Sequence, residues 1–147
     1  MRKQKIGILW FWIFLSLTQL YAQQKPEIDS LVQLLETQIT ATERVKIYNK
    51  LAKKHIPDSL KVLEYTSKAI RLASKIEDVK GILTARTHIG KMFLKRSQYP
   101  KALDQYRKIL IITQQNSDLR KNEAKAWRGV GSVERSEERR VGKECRS

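Results

Sequence analysis

Two segments of this chain repeat each other at an offset of 40 residues. KVLEYTSKAIRLA begins at Lys61 and KALDQYRKILIIT at Lys101. Lys61, Leu63 and Lys68 recur as Lys101, Leu103 and Lys108, Glu64 as Asp104, and Ile70 as Leu110. A second register, offset by 41, relates ARTHIG from Ala85 to AWRGVG from Ala126, with Ala85 and Gly90 recurring as Ala126 and Gly131 and Ile89 as Val130. YNKLA, Tyr48 to Ala52, is a weaker earlier copy. Each unit reads as a pair of helices. No helix is apolar all round, yet each has a stripe it cannot bury alone, and stacking of pairs buries it. The expected fold is all-α: antiparallel helix pairs stacked as a solenoid.

The punctuation agrees. Glycine is absent between Gly7 and Gly81, and proline occurs only at 26, 57 and 100. Pro26 marks a helix start, and EIDSLVQLLE places Ile28, Leu31, Val32, Leu34 and Leu35 mostly on one side of a short helix. Thr40 and Glu43 form a capping box for a helix over about 41–55. Pro57 breaks the chain and Asp58 caps the next helix, in which Leu60, Leu63, Ala69, Ile70 and Ala73 follow at helical spacing. Glu77 and Asp78 make a turn. Ile82, Ala85, Ile89, Met92 and Phe93 then share a face. Ser97 is a candidate cap, and Pro100 is tolerated in a first turn, where amides have no internal partner. The buried face of that helix is expected to hold Tyr99, Ala102, Leu103, Tyr106, Ile109, Leu110 and Thr113. Asn116 to Asp118 make a final turn before a helix over Leu119 to Val133.

These residues resemble the tetratricopeptide repeat. Ile89 and Gly90 stand at its Leu-Gly pair and Phe93 at the following aromatic. Tyr99 precedes the small residue Ala102 of the second helix, and Tyr106 is its aromatic. Ile109 replaces the usual alanine, and Arg86 replaces the first bulky residue. In the earlier copy Tyr48, Leu51, Ala52 and His55 fill the first-helix positions. Val62 and Thr66 depart from the pattern there, while Ala69 agrees. In the last copy Trp127, Val130 and Gly131 match. The resemblance covers about residues 42–133, as units 42–78 and 79–117 and a partial one at 118–133. It implies a short right-handed solenoid in which Gly90 and Ala102 allow close helix approach. Phe93 and Tyr106 fill the volume between pairs, and Trp127 is a core residue. It also implies a concave surface lined by first-helix residues such as Lys50, Arg86 and Lys91, holding a protein or peptide. Offsets of 40 and 41 exceed the family's usual period of about 34.

The two ends carry different information. Met1 to Lys5 holds Arg2, Lys3 and Lys5. Ile6 to Leu17 is apolar apart from Gly7 and Ser16, and Ala22 precedes a polar QQK. This is the pattern of an export signal, residues 1–22, removed after Ala22. Residues 23–41 are expected to be a capping helix, and the mature chain to lie in the periplasm or on the periplasmic face of the inner membrane. Between residues 23 and 133 there are 22 Lys+Arg against 11 Asp+Glu. Such an excess is compatible with nucleic acid, but the leader argues against that partner. At the other end, RSEERRVGKECRS has only Val141 and Cys145 as apolar groups, and Glu134 stands where the repeat wants an aromatic. Residues 134–147 resemble the tails of truncated reading frames in draft assemblies, so non-native sequence joined near Val133 to Arg135 is expected. The alternatives are a disordered basic tail or a charged capping helix.

No catalytic set is expected. The chain has two histidines, His55 and His88, and one cysteine, which makes a zinc cluster improbable. No phosphate loop, serine elbow or paired-carboxylate motif occurs. Neither a cofactor nor a metal is expected, and Glu77–Asp78 reads as a cap. The doublets Lys53–Lys54, Lys95–Arg96 and Arg107–Lys108 read as solvated faces. The helix at Asp29 to Leu35 resembles those that precede elongated repeats in exported regions of bacterial signalling proteins. That resemblance implies a truncated sensory scaffold, tethered to the membrane when intact and joined to a histidine kinase or a helix-turn-helix regulator. The alternative is a stand-alone periplasmic adaptor in envelope assembly. Self-association through the unfinished repeat is a further expectation.

Overall fold

The computed structural model describes residues 27–114 and 116–145. The chain forms two compact units, Met1–Gln38 and Ile39–Ser147. The expected leader lies outside the described residues, as do residues 23–26 of the expected first helix. In the first unit residues 27–36 are helical (α1), with Leu31 buried and Val32 and Leu34 exposed. The second unit holds α2 (Ala41–Lys54), α3 (Ser59–Lys75), α4 (Val79–Lys95), α5 (Tyr99–Thr113), a 3-10 turn (Ser117–Leu119) and α6 (Arg120–Glu144). No strand occurs among the described residues.

The start of each helix has a local cause. The Thr40 hydroxyl accepts the Glu43 N–H, and the Glu43 carboxylate accepts the Thr40 N–H at 2.9 Å, completing the capping box of α2. Asp58 Oδ1 accepts the N–H groups of Leu60 and Lys61 at 3.1 and 3.2 Å and starts α3. Asp78 Oδ1 accepts the Gly81 N–H at 2.9 Å and starts α4. The three caps Asp58, Asp78 and Gln98 are spaced evenly, one helix and one turn apart.

Ser97 does not cap α5. It sits at φ 55°, and Glu77 occupies the same place before α4 at φ 56°. Each is the left-handed residue that ends the preceding helix. Asp78 N–H bonds back to Ala73 O, and Gln98 N–H to Phe93 O, both at 2.9 Å. Gln98 takes the cap position with no side-chain bond, and Pro100 lies in the first turn.

Short turns return each helix against its predecessor, so α2 packs on α3, α3 on α4, α4 on α5 and α5 on α6. In addition, α2 touches α4, and α4 touches α6. The pairing buries equivalent positions. In α3 these are Val62, Thr66, Ala69 and Ala73. In α5, at the repeat offset, they are Ala102, Tyr106, Ile109 and Thr113, with Tyr99 and Leu110 added. Leu103 is only half-buried. Where α5 has the Tyr106 ring, α3 has Thr66, whose hydroxyl is satisfied by Val62 O at 2.7 Å. The neighbouring Tyr65 instead stacks on Tyr48 of α2 and on His55 just after it, with ring centroids 6.5 and 5.7 Å away.

Among the described residues Tyr106 is the largest fully buried side chain. It lies between two glycines on two other helices. A Cβ on Gly90 of α4 would stand 2.8 Å from Tyr106 Cζ, and one on Gly129 of α6 only 2.5 Å from the same atom. Burial pushes the phenol pKa up to about 12, so the ring is neutral throughout the physiological range.

Four sequence expectations are corrected here. Leu60 and Leu63 are exposed, because the inward stripe of α3 runs through Val62 and Thr66 instead. Trp127 is 54% exposed and is not a core residue; Ala126 and Val133 are the buried positions of α6. Gly131 makes no close approach, since an added Cβ would meet only Arg135 Nη1 at 3.5 Å; the glycine that admits a neighbour is Gly129. The last helix also does not stop near Val133 but continues to Glu144. Tyr99 Oη reaches the Ser136 carbonyl at 3.4 Å. Even so, no described residue after Val133 is buried.

These contacts separate the three glycines. Gly90→Ala and Gly129→Ala are each expected to lose about 1–3 kcal/mol in urea unfolding by forcing the Tyr106 ring aside. Gly131→Ala is expected to gain about 0.5–1 kcal/mol through helix propensity alone. Equal effects at all three positions would rule out the Tyr106 clamp.

Candidate functional site

The row α2–α4–α6 presents one side-chain stripe from each helix to a common surface. On α4 the stripe is Gly81, Thr84, Thr87, His88 and Lys91, at helical spacing. Two hollows flank it. One, of about 510 Å³, lies against α2 and is lined by Val45, Lys46, Asn49, Lys50, Lys53, Lys80 and His88 among others. The other, of about 370 Å³, lies against α6, with Thr87, Lys91, Leu94, Lys125, Arg128 and Ser132 around it and Tyr106 in its lining. Because α4 contributes to both, the hollows form two stations of one surface.

The surface is strongly cationic. Its one acidic lining residue is Asp78, whose carboxylate is engaged by the Gly81 N–H at the start of α4. Lys46, Lys50, Lys53 and Lys80 surround the first hollow, and Lys91, Lys125 and Arg128 the second. Among the described residues none of these seven makes an ion pair. The outer helices differ: Lys68 pairs with Glu64 at 2.6 Å on α3, and Lys108 with Asp104 at 2.7 Å on α5.

Two buried polar side chains sit within this surface. Asn49 Nδ2 donates to the Gly81 carbonyl at 3.1 Å and ties α2 to α4, which leaves its Oδ1 without a partner. His88 is 7% exposed and its Nδ1 has no partner. Its pKa is pushed down to about 4, first by burial and then by Lys91, Lys53 and Lys125. These lysines come from α4, α2 and α6, so the charges of all three helices act on the one buried ring.

The sequence placed Lys50, Arg86 and Lys91 on a concave face. The structure puts Lys50 and Lys91 in the two hollows. Arg86 lies elsewhere: it is half-buried and turned toward α5, where Nη1 donates to Gln105 Oε1 at 3.4 Å. Of the residues assigned to packing, Leu51, Ala52, Ala69, Gly90, Tyr99, Ala102 and Tyr106 are buried, and Ile89 and Phe93 are half-buried. Sequence reasoning missed Lys46, Lys53, Lys80, Lys125, Arg128, Asn49 and His88. A usable signal existed in Lys46, Lys50 and Lys53, which recur at the spacing of one helix face. Lys53 of the doublet Lys53–Lys54 is exposed, as expected, and also lines the first hollow.

Among the described residues no group of three acidic, histidine or cysteine side chains could hold a metal ion, and no helix is long and apolar enough to cross a membrane. No family model matches the chain, and neither a curated protein nor a solved structure matches it.

The depressed pKa of His88 makes stability depend on pH. Between pH 4 and 6.5 the unfolded chain binds a proton at this ring that the folded chain refuses. Stability is therefore full above about 6.5 and declines as pH falls toward 4, by about 3 kcal/mol in total. Urea unfolding at pH 5 is expected to give about 2 kcal/mol less than at pH 7. His88→Gln should remove most of that difference, and a variant that kept the whole slope would assign it to other groups.

Proposed function

We propose that this chain is a tetratricopeptide-like interaction module whose α2–α4–α6 surface holds an extended segment of another protein. One observation carries the reading: α2, α4 and α6 together line two hollows that flank α4, while the intervening α3 and α5 are spent on packing. Pairs at a forty-residue offset, and a glycine on each of two inner helices set against the same aromatic ring, support a short helical solenoid of this kind. Binding is what such a surface does chemically. It offers charge and depth, and among the described residues that line it no arrangement of nucleophile, base and oxyanion donors.

We further propose that the module acts outside the cytoplasm, as the scaffold part of a membrane-tethered bacterial signalling protein. The support is the basic-apolar-small order of Met1 to Ala22 and the helix of Asp29 to Leu35 that precedes the pairs.

Two experiments test these statements. A photo-crosslinking amino acid placed at Lys50 or Lys91 in cells is expected to join the chain to a partner protein, and the same group at Lys75 or Ile111 on the outer helices is not. Crosslinking that is equal at all four positions, or confined to the outer helices, would remove the surface from consideration. Fusion of the full chain to alkaline phosphatase, active only after export, is expected to give active enzyme. Loss of that activity on replacing Ile8, Leu9 and Leu15 with aspartate would attribute export to the leader, and an inactive parent fusion would disprove it.

A further inference from the structure

The internal repeat shows which face of α6 lies uncovered. We propose that two copies of this chain associate through that face, α6 against α6 in antiparallel register, with Trp127 of each copy seated on Gly131 of the other. The proposal goes beyond the interaction-module reading and does not depend on it.

Three observations carry it. First, at the 41-residue offset the α6 positions Ala124, Trp127, Gly131 and Glu134 correspond to Leu83, Arg86, Gly90 and Phe93 of α4. All four α4 positions face α5. Leu83 belongs to the buried cluster of Tyr106 and Ile109, and Arg86 Nη1 donates to Gln105 Oε1. A Cβ on Gly90 would stand 2.8 Å from Tyr106 Cζ, and Lys101 Nζ lies 5.7 Å from the centre of the Phe93 ring. On α6 no described helix takes that place. Ala124 and Glu134 are exposed, Trp127 is 54% exposed, and a Cβ on Gly131 would meet only Arg135 Nη1 at 3.5 Å. What covers the α4 face is a helix that lays an aromatic ring on a glycine. Second, α6 carries both halves of such a contact, Trp127 and Gly131, one turn apart on one face. A two-fold axis level with residue 129 sets each ring on the glycine of the partner copy, which is the self-complementarity a closed dimer requires. Third, the charges match in that register. Arg120 falls opposite Glu138 of the partner copy, and Glu123 opposite Arg135, each twice by symmetry. None of these four side chains makes an ion pair among the described residues. The whole chain carries +15, which pushes copies apart, and this balanced strip offsets the repulsion locally. A parallel alignment would set Glu123 on Glu123 and Arg135 on Arg135. A single helix pair belongs to the small, transient class of interface, below about 1,200 Å².

The test is the oligomeric state of the full chain. Sedimentation velocity across about 1 μM to 1 mM is expected to show a monomer passing reversibly to a dimer and no further. Trp127→Ala should weaken the dimer about tenfold or more. Gly131→Leu, which blocks the seat of the ring, should do the same, with helix content by circular dichroism unchanged in both because each position faces solvent in the single copy. Glu123→Arg alone and Arg135→Glu alone should each weaken association about tenfold, and the two together should restore it, a rescue that loss of folding cannot mimic. Register is read by disulfide formation in a Cys145→Ser background. A mixture of Ala124→Cys and Glu134→Cys chains should crosslink faster than either chain alone, because equal positions lie about 15 Å apart along the antiparallel pair. A monomer throughout the range would overturn the proposal. So would a dimer that Trp127→Ala and Gly131→Leu leave unchanged, or one broken instead by Leu60→Ala on α3, where the side chain is 80% exposed. Ala124→Cys chains that crosslink alone as fast as the mixture would overturn the antiparallel register.

Discussion

Tyr106 between Gly90 and Gly129 is the contact on which the rest of the second unit depends. One aromatic ring, carried by α5, lies against the backbones of α4 and α6 where neither has a side chain. The ring therefore does two jobs. It fills the core, and it sets how far apart α4 and α6 stand, because the glycines let both come down onto its face and edge. The second hollow exists at that separation and has Tyr106 in its lining. A bulkier residue at either glycine would tilt one helix away and change core and surface together.

The first pair reaches the same arrangement by a different route. Its second helix has Thr66 in place of the ring, and the inner helices α2 and α4 are joined more directly. Gly81 lies so close to Val45 that an added Cβ would stand 2.6 Å from Val45 Cγ1, and Asn49 bonds to the Gly81 carbonyl. Tyr65 then supplies aromatic mass on the other side through Tyr48 and His55. Glycine at a helix contact is common to both solutions; the ring is not. Surface charge follows the same division. Lys68 of α3 and Lys108 of α5 pair with acids one turn away, whereas Lys53, Lys91 and Lys125 of the inner helices make no ion pair among the described residues. Close packing of the inner row buries His88, and that burial, with Lys91, Lys53 and Lys125 adding to it, holds the ring neutral.

Much of this was legible in the residues themselves. The capping box at Thr40 and the caps at Asp58 and Asp78 are local chemistry, formed within three residues of sequence, and the structure has all three. The inward face of α5 was readable as well, because six of its seven assigned residues are buried in a strongly amphipathic helix. Reading failed where two registers compete. Leu60 and Leu63 are apolar and helically spaced, yet the stripe of α3 that faces its neighbours is the one with Val62 and Thr66. Ser97 looks like a cap, but its left-handed backbone closes α4 instead. Gly131 fits a repeat offset of 41, and Gly129 is the residue that meets Tyr106. In each case composition permitted both choices, and a neighbouring helix made the selection.

By itself the sequence determined the helical class, the turns, the caps and the offset between units, because these follow from hydrogen bonds and apolar spacing inside a single segment. The tertiary structure decided which glycines admit a ring and that Trp127 faces outward. It also decided that Lys53, Lys91 and Lys125, far apart along the chain, share one field around His88. No local rule reaches those outcomes. They arise from the separation and rotation of whole helices, which are set by how side chains from three of them fit around Tyr106.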